Sequence, residues 1–409
     1  MKNKLLSWKY PCLLLFGIGT SNIGDWIYLI ALNVMMLDMT NAPLAVSGLY
    51  MIKQLAALCT NIWSGSLIDR MNKRKLMMVL DWTRAGIIAC LPFFSSILII
   101  YVLIFIISMA SSMFRPASMV YITKLIPREK RQRFNSLRSL IDSGGFLIGP
   151  AAAGALFMIG TPAFAIYATA AALVSSGIVT LFMPNLDTKT EVKENKLSVN
   201  TIREDWKAVF RFSRANRYII TIYVLFSFLM VMATAIDSLE VSFATKVIHL
   251  SESEYGFLLS IAGAGIMIGA VVNTLFTKKL SINFLIGAGS VGVSLGYLLY
   301  ACSSSFQTMG TGFFSLSFAL AFASAGFQTF YQNSIPVDMM GRVGSIYGLL
   351  ESLLIIIMTF LCGMAAHIFS IQGAVIGGSL IMLLSTIVLF LCTLKPAVYK
   401  ISVVKKQGI

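Results

Sequence analysis

The stretch Leu98-Ile-Ile-Tyr-Val-Leu-Ile-Phe-Ile-Ile-Ser-Met-Ala-Ser-Ser-Met-Phe114 holds no charged side chain, no glycine and no proline. Coiled into a helix, such a segment crosses most of the hydrocarbon of a bilayer, and every backbone polar group finds its partner within the segment. The rest of the chain repeats this pattern. Of 409 residues, 57% are apolar and 12% are charged, against about 45–50% and about 25% in a soluble domain. A water-soluble chain of this size could not hide so much apolar surface. A soluble enzyme, a disordered scaffold and a fibrous protein are excluded, and a polytopic helical membrane protein remains.

Working outward, the first segment needs care. Lys2, Lys4 and Lys9 precede an apolar run that starts at Cys12, which imitates a signal peptide. The run continues to about Met36, too long for such a signal, and has no small-residue cleavage site before it ends; it reads as a retained first span. Eleven more spans are expected at 46–68, 76–96, 98–124, 137–160, 163–183, 217–245, 254–276, 282–302, 307–334, 343–366 and 372–394. If the N-terminus is inside, every lysine and arginine except Lys53, Arg84, Arg115 and Lys246 falls in an inner loop or tail. The positive-inside rule then places both termini in the cytoplasm. The same rule accounts for the excess of 32 Lys+Arg over 17 Asp+Glu without nucleic acid. The six cysteines lie in apolar stretches with no C-x-x-C pair, and there are two histidines, so no disulfide framework, metal site or cofactor is expected. The lack of any N-x-S/T sequon favours a bacterial plasma membrane.

The expected organisation is a bundle over 1–183, a cytoplasmic linker over 184–216 and a second bundle over 217–409. Trp206, Val209, Phe210 and Phe212 in the linker read either as a short amphipathic helix on the membrane surface or as a solvated linker helix. An internal repeat supports two bundles. An offset of 209 residues places Pro127 on Pro336, Arg133 on Arg342, Ser136 on Ser345, Asp142 on Glu351 and Gly154 on Gly363. An offset of 212 places Asp25 on Asp237. Two parallel six-helix repeats are a transporter architecture with the site between them.

Gly65-Ser-Leu-Ile-Asp69-Arg70-Met-Asn72-Lys73-Arg74-Lys75, between spans two and three, resembles the signature loop of the major facilitator superfamily, with Asn72 where that pattern has glycine. Asn also tolerates a left-handed turn. In span five, Gly145-Phe-Leu-Ile-Gly149-Pro150-Ala-Ala-Ala153-Gly154 resembles the superfamily's antiporter motif, with Ala153 replacing a glycine; the alternative is helix packing by small residues alone. Ser21-Asn-Ile-Gly24-Asp25 and Pro127-Arg-Glu-Lys-Arg-Gln-Arg133-Phe-Asn135 look like the macrolide-efflux and enterobactin-exporter branch. The loop Thr277-Lys278-Lys279 departs, keeping charge but not the acidic motif. The resemblance implies an all-α fold of twelve transmembrane helices in two six-helix bundles. It also implies a gate in which Asp69 latches onto Gly341-Arg342 at the start of span eleven, with Gly65, Arg70 and Arg74 around it. It further implies that Gly145, Gly149 and Pro150, with Gly263, Gly265 and Gly269, let spans five and eight close together at the seam.

A charge at the middle of a membrane helix costs roughly 2.5–3.5 kcal/mol on insertion scales, so buried acids are functional candidates. Asp25 in span one and Arg115 in span four border the central cavity if the resemblance holds, as a proton-coupling pair or as a static ion pair. Asp237 and Glu240, three apart, are a second proton site or a solvated vestibule lining. Asp142 and Glu351 are expected to hold arginines such as Arg138 or Arg342, and Asp81 to pair locally with Arg84. Lys53 has no assigned role. Tyr28, Gln328, Tyr331 and Gln332 are candidate substrate contacts, with adaptable aromatic and methionine surface around them. The leading expectation is a monomeric exporter of a small amphipathic compound in exchange for protons, working in the lipid bilayer. An uptake permease on the same fold and a non-transporting anchor or sensor are the alternatives. No nucleophile with a base, metal set or phosphate loop argues for an enzyme.

Overall fold

In a computed structural model, residues 8–40, 43–159, 161–187, 199–250, 252–276 and 279–394 are described. The basic tails, the linker segment 188–198 and Lys278 lie outside them. The described chain is helical, with no strand among the described residues. The helices are α1 (Lys9–Thr40), α2 (Pro43–Asn61), α3 (Ser64–Arg70), α4 (Lys73–Cys90), α5 (Ile97–Leu125), α6 (Arg131–Ile159), α7 (Pro162–Leu181), α8 (Val199–Ala215), α9 (Arg217–Asp237), α10 (Glu240–Lys246), α11 (Glu252–Phe276), α12 (Ile282–Ala301), α13 (Phe306–Ser334), α14 (Met340–Ile368) and α15 (Ile371–Leu394). Among the described residues, 10 helical stretches are long and apolar enough to cross a membrane. The other two expected spans, 46–68 and 137–160, are helical as α2–α3 and α6.

Two spans expected to be continuous are broken. Span two bends at Ile62–Trp63, between α2 and α3, and span seven at Ser238–Leu239, between α9 and α10. A third local expectation is corrected at Asn72. Its φ is −69°, so no left-handed turn is needed; its side chain caps α4 by accepting the Lys75 N–H at 3.0 Å. An N-cap satisfies one of the orphan donors of a helix start, which explains why a polar residue serves there.

Before α8, α1 packs on α6 and α7, α4 on α5 and α7, and α2 on α5. After it, α12 packs on α13 and α15, α11 on α13, and α9 on α14 and α15. Across the two groups, α6 meets α11 and α13, while α14 meets α2, α3 and α5. Without a hydrophobic drive between helices in lipid, such contacts depend on close packing by small residues. Gly289 against Ala323 and Gly312 against Tyr300 bring α12 and α13 together. The large apolar side chains left exposed, such as Leu98, Phe93, Leu275 and Phe360, form the belt that faces lipid.

Candidate functional site

The loops rich in lysine and arginine gather at one end of the bundle, here the basic end, and it is closed. Asp69, at the end of α3, points at the first turn of α14. Its oxygens accept the Gly341 N–H at 2.8 Å, the Arg342 N–H at 3.0 Å and Arg342 Nε at 2.9 Å. A helix N-terminus offers unpaired N–H groups and a partial positive charge to an anion. The approach demands glycine at 65, where a Cβ would stand 2.6 Å from the Gly341 carbonyl oxygen. One turn deeper, the Ser64 and Ser345 hydroxyls are 3.1 Å apart.

A residue of the linker helix joins this contact. Asp205 of α8 accepts two bonds from Arg70, at 2.6 and 2.9 Å, and one from Arg342 at 3.1 Å. Burial alone would raise its carboxyl, but the Arg70 and Ser66 hydrogen bonds and the charges of Arg70 and Arg342 outweigh this and hold it below the usual carboxylate range. Arg74 lies aside, donating to the Met183 carbonyl at 2.8 Å. A second tie runs between α6 and α13. Arg131 donates to the Gln332 carbonyl and to Asn333 Oδ1, and Asn135 Nδ2 to Thr329 at 2.9 Å and Gln332 at 3.0 Å. Tyr331 and Gln332, expected against substrate, belong to this closed end. Tyr331 donates its hydroxyl to the Met340 carbonyl at 2.7 Å, and Gln332 is 2% exposed.

The interior charges differ from expectation at one decisive point. Asp25 pairs with Arg84 of α4, not with Arg115. Arg84 also lies 3.6 Å from Asp81, which is fully buried and accepts Ser176 Oγ at 2.9 Å. One guanidinium therefore serves two carboxylates. The expected Asp81–Arg84 pair is present, but the arginine is long enough to reach α1 as well. Asp25 keeps 46% of its side chain exposed. Tyr28 is buried within the field of this pair, its hydroxyl making no hydrogen bond, and Lys53 of α2 also feels the Asp25 charge. Arg115 is exposed on α5 and acts electrostatically on Glu351 of α14 and on Arg138. Asp142 accepts Asn22 Nδ2 at 2.9 Å and stands 3.8 Å from Arg138; Glu351 accepts Ser227 Oγ at 3.2 Å. Gln328 has a buried Oε1 without a hydrogen bond.

At the opposite end, Asp237 closes α9 and Glu240 opens α10, so they do not share one uninterrupted helix face. Each has its own phenol: Tyr297 donates to Asp237 and Tyr255 to Glu240, both at 2.7 Å. The glycines of span five serve a different contact from the one expected. Gly145 faces Asn22 and Gly149 faces Trp26, both on α1, while Gly265 and Gly269 face Phe314 and Phe318 on α13. Spans five and eight do meet, as α6 and α11, but Gly145 and Gly149 pack span one, and Gly265 and Gly269 pack span ten. Pro150 lies in α6, its side chain outside the described ones. Sequence reasoning missed Asp205, Arg131, Asn135 and the reach of Arg84. For Asp205 a signal was available: an acid four residues before Val209 and seven before Phe212, on the apolar face of the linker helix.

A many-spanned helical bundle closed at one end by an acid on a helix N-terminus, with charges held inside its spans, defines a membrane transporter fold. The chain belongs to the Major Facilitator Superfamily, whose model matches residues 14–359. It is 25% identical over 344 residues to the MFS-type transporter YfiS of Bacillus subtilis (strain 168), covering 81% of this chain and 80% of that one. It is 23% identical over 312 residues to Macrolide efflux protein A of Enterococcus faecalis, covering 71% and 91%. Solved structures share the fold, two of them as follows. The human organic anion transporter MFSD10 has a TM-score of 0.77 at 14% identity, covering 93% of this chain and 98% of that one. A bacterial homologue of the iron transporter ferroportin, in an outward-facing state, has a TM-score of 0.74 at 16% identity, covering 94% and 99%.

Proposed function

We propose that the protein exports a small amphipathic organic compound from a bacterial cell in exchange for protons, as a monomer, by rocking of bundles 1–183 and 217–409 about the 184–216 linker. In this reading the basic end faces the cytoplasm, and its contacts close the path to the inside. The observation that carries the reading is the half-exposed Asp25, sharing Arg84 with the buried Asp81. Three charges with a net of −1 hold room for one proton. A proton on Asp25 frees Arg84 to Asp81 alone; a substrate that engages Asp25 expels that proton. The two occupants exclude each other, so each cycle carries a proton inward and a substrate outward. Arg115, Asp142 and Glu351 supply further charge between the bundles, where the polar end of a substrate would sit. Export rather than uptake is supported by the similarity to Macrolide efflux protein A.

The test uses the purified chain in vesicles of known orientation, with a macrolide and a lipophilic cationic dye as probes. An inward-directed proton gradient should drive efflux, an uncoupler should stop it, and Asp25→Asn, which holds the site in its neutral form, should lose both gradient-driven efflux and substrate counterflow. Efflux that survives the uncoupler, or full activity in Asp25→Asn, sinks proton coupling through this site.

A further inference from the structure

The linker helix α8 carries different chemistry on opposite faces. Toward the bundle it presents Asp205, at 4% exposure, and Val209, at 1%. Arg203, Lys207, Arg211 and Arg214 follow at steps of four, four and three, which align them on one helix face, centred opposite Asp205. All four are exposed. Glu204 lies beside them, bonded to Lys207 at 2.7 Å, so the stripe keeps a net positive charge. Between the two faces runs an aromatic edge. Trp206 and Phe210 have ring centroids 6.4 Å apart, and Phe210 is 57% exposed. Trp206 Nε1 donates to the Ile62 carbonyl at 3.4 Å, and the Ile62 side chain is itself exposed at the end of α2. The aromatic edge therefore continues the lipid-facing flank of span two, with the cations bordering it. An apolar edge flanked by arginine and lysine, at the end of a membrane-spanning bundle, is complementary to anionic headgroups.

We propose that α8 is a lipid-reading bolt: anionic phospholipid headgroups at the basic end bind the Arg203–Lys207–Arg211–Arg214 stripe and, by seating the helix, hold Asp205 between Arg70 and Arg342. Arg70 lies on α3 and Arg342 on α14, so opening this end pulls the two arginines apart and Asp205 keeps at most one. The Ser213–Tyr347 hydroxyl contact at 2.8 Å ties α8 to α14 as well. A helix that must leave one partner on opening, and that lipid holds in place, couples headgroup charge to the gate; the coupling is reciprocal. It depends on the bilayer placement and not on the direction of transport or on protons.

The test is hydrogen–deuterium exchange of the full chain in nanodiscs of phosphatidylcholine alone and of phosphatidylcholine with phosphatidylglycerol. A basic residue near an anionic surface gains roughly fivefold in occupancy. Phosphatidylglycerol should therefore slow α8 amides by at least about fivefold, and slow α3 and the first turns of α14 with them. High salt should erase the difference, because exposed charges are screened. The variant R203Q/K207Q/R211Q/R214Q should lose the lipid effect while melting like the wild type in phosphatidylcholine. D205N should keep lipid protection in α8 and lose it in α3 and α14. Equal exchange in the two lipids overturns the proposal, as does a salt-resistant effect. Protection confined to α8 in the wild type overturns the coupling to the gate. Should the fourfold variant fail to fold, the salt dependence of the wild type still decides.

Discussion

Asp205→Asn should loosen the basic end by an amount the gate geometry sets. In the closed end the Asp205 carboxylate accepts three guanidinium bonds, two from Arg70 and one from Arg342 at 3.1 Å. When α3 and α14 part, α8 can follow α3 and keep the bidentate pair, so the difference between closed and open is the Arg342 bond. A hydrogen bond to a charged group contributes about 1.5–3 kcal/mol. The side chain of Arg342 is 18% exposed, which lowers this to about 1–2 kcal/mol through solvent screening. Since ~1.4 kcal/mol is tenfold, the ratio of closed to open molecules should fall by about 5- to 30-fold. Spin labels at Met71→Cys and Asp338→Cys, both exposed positions flanking the gate, with the six native cysteines replaced, report this separation by double electron–electron resonance. The wild type should give one short distance and Asp205→Asn a second, longer one. A variant distribution that overlays the wild type would refute the assignment of Asp205 to the gate.

Other outcomes follow from the same contacts. Because the Asp205 carboxyl is held below its usual range in the closed gate, its contribution is complete above the ordinary carboxylate value of about 3.9 and is lost only as pH falls through the lowered one; the closed fraction in this resonance experiment should show no change from Asp205 between roughly pH 5 and 8. Gly65→Ala places a Cβ against the Gly341 carbonyl and should shift the same distance distribution to open while leaving the melting temperature of the detergent-solubilised protein unchanged. Gly149→Val instead drives a side chain into Trp26, a fold contact, and should lower that melting temperature by an amount corresponding to at least about 1–3 kcal/mol. Arg84→Gln leaves the fully buried Asp81 without its cation, which costs about 3–5 kcal/mol; adding Asp81→Asn should restore most of the thermal stability, and a double variant no more stable than the single one contradicts the pairing.

The sequence was most legible where its signals are large and one-dimensional. Spans declare themselves by length and apolarity, and the Asp69 latch by a motif whose position between spans two and three is fixed. What failed was azimuth. A span boundary uncertain by four residues is uncertain by a full turn, so Asp25 could not be aimed at Arg84 rather than Arg115 from sequence. Both arginines sit in neighbouring spans, and only the packing of α4 on α7, and of α7 on α1, carries Arg84 round to span one. The glycines of span five were misassigned for the same reason: their spacing marks a face for close approach without naming the helix that approaches. The breaks at Ile62–Trp63 and Ser238–Leu239 carry neither proline nor glycine, so nothing local announced them.

Asp205 failed to be read for a different reason, and that reason bears on how the gate works. In the linker, acids and bases alternate, and any single acid passes for part of a solvated face. Its meaning comes only from Arg342, which is claimed twice: by Asp69 through Nε and the backbone, and by Asp205 through Nη1. Two acids from separate segments on one arginine make closure conditional on both segments being in place. A latch on α3 alone would close whenever the two bundles met. A latch that also needs α8 closes fully only when the linker is seated, and so responds to whatever seats it. Arg342→Lys is the discriminating change. Lysine keeps the charge but cannot present two separated donor edges, so it should keep one acid and release the other. The Met71–Asp338 distance should then lengthen only partly, and Asp205→Asn added to it should produce a smaller further shift than it does in the wild type. Full additivity of the two changes would mean that Asp69 and Asp205 act independently and that the shared arginine is incidental.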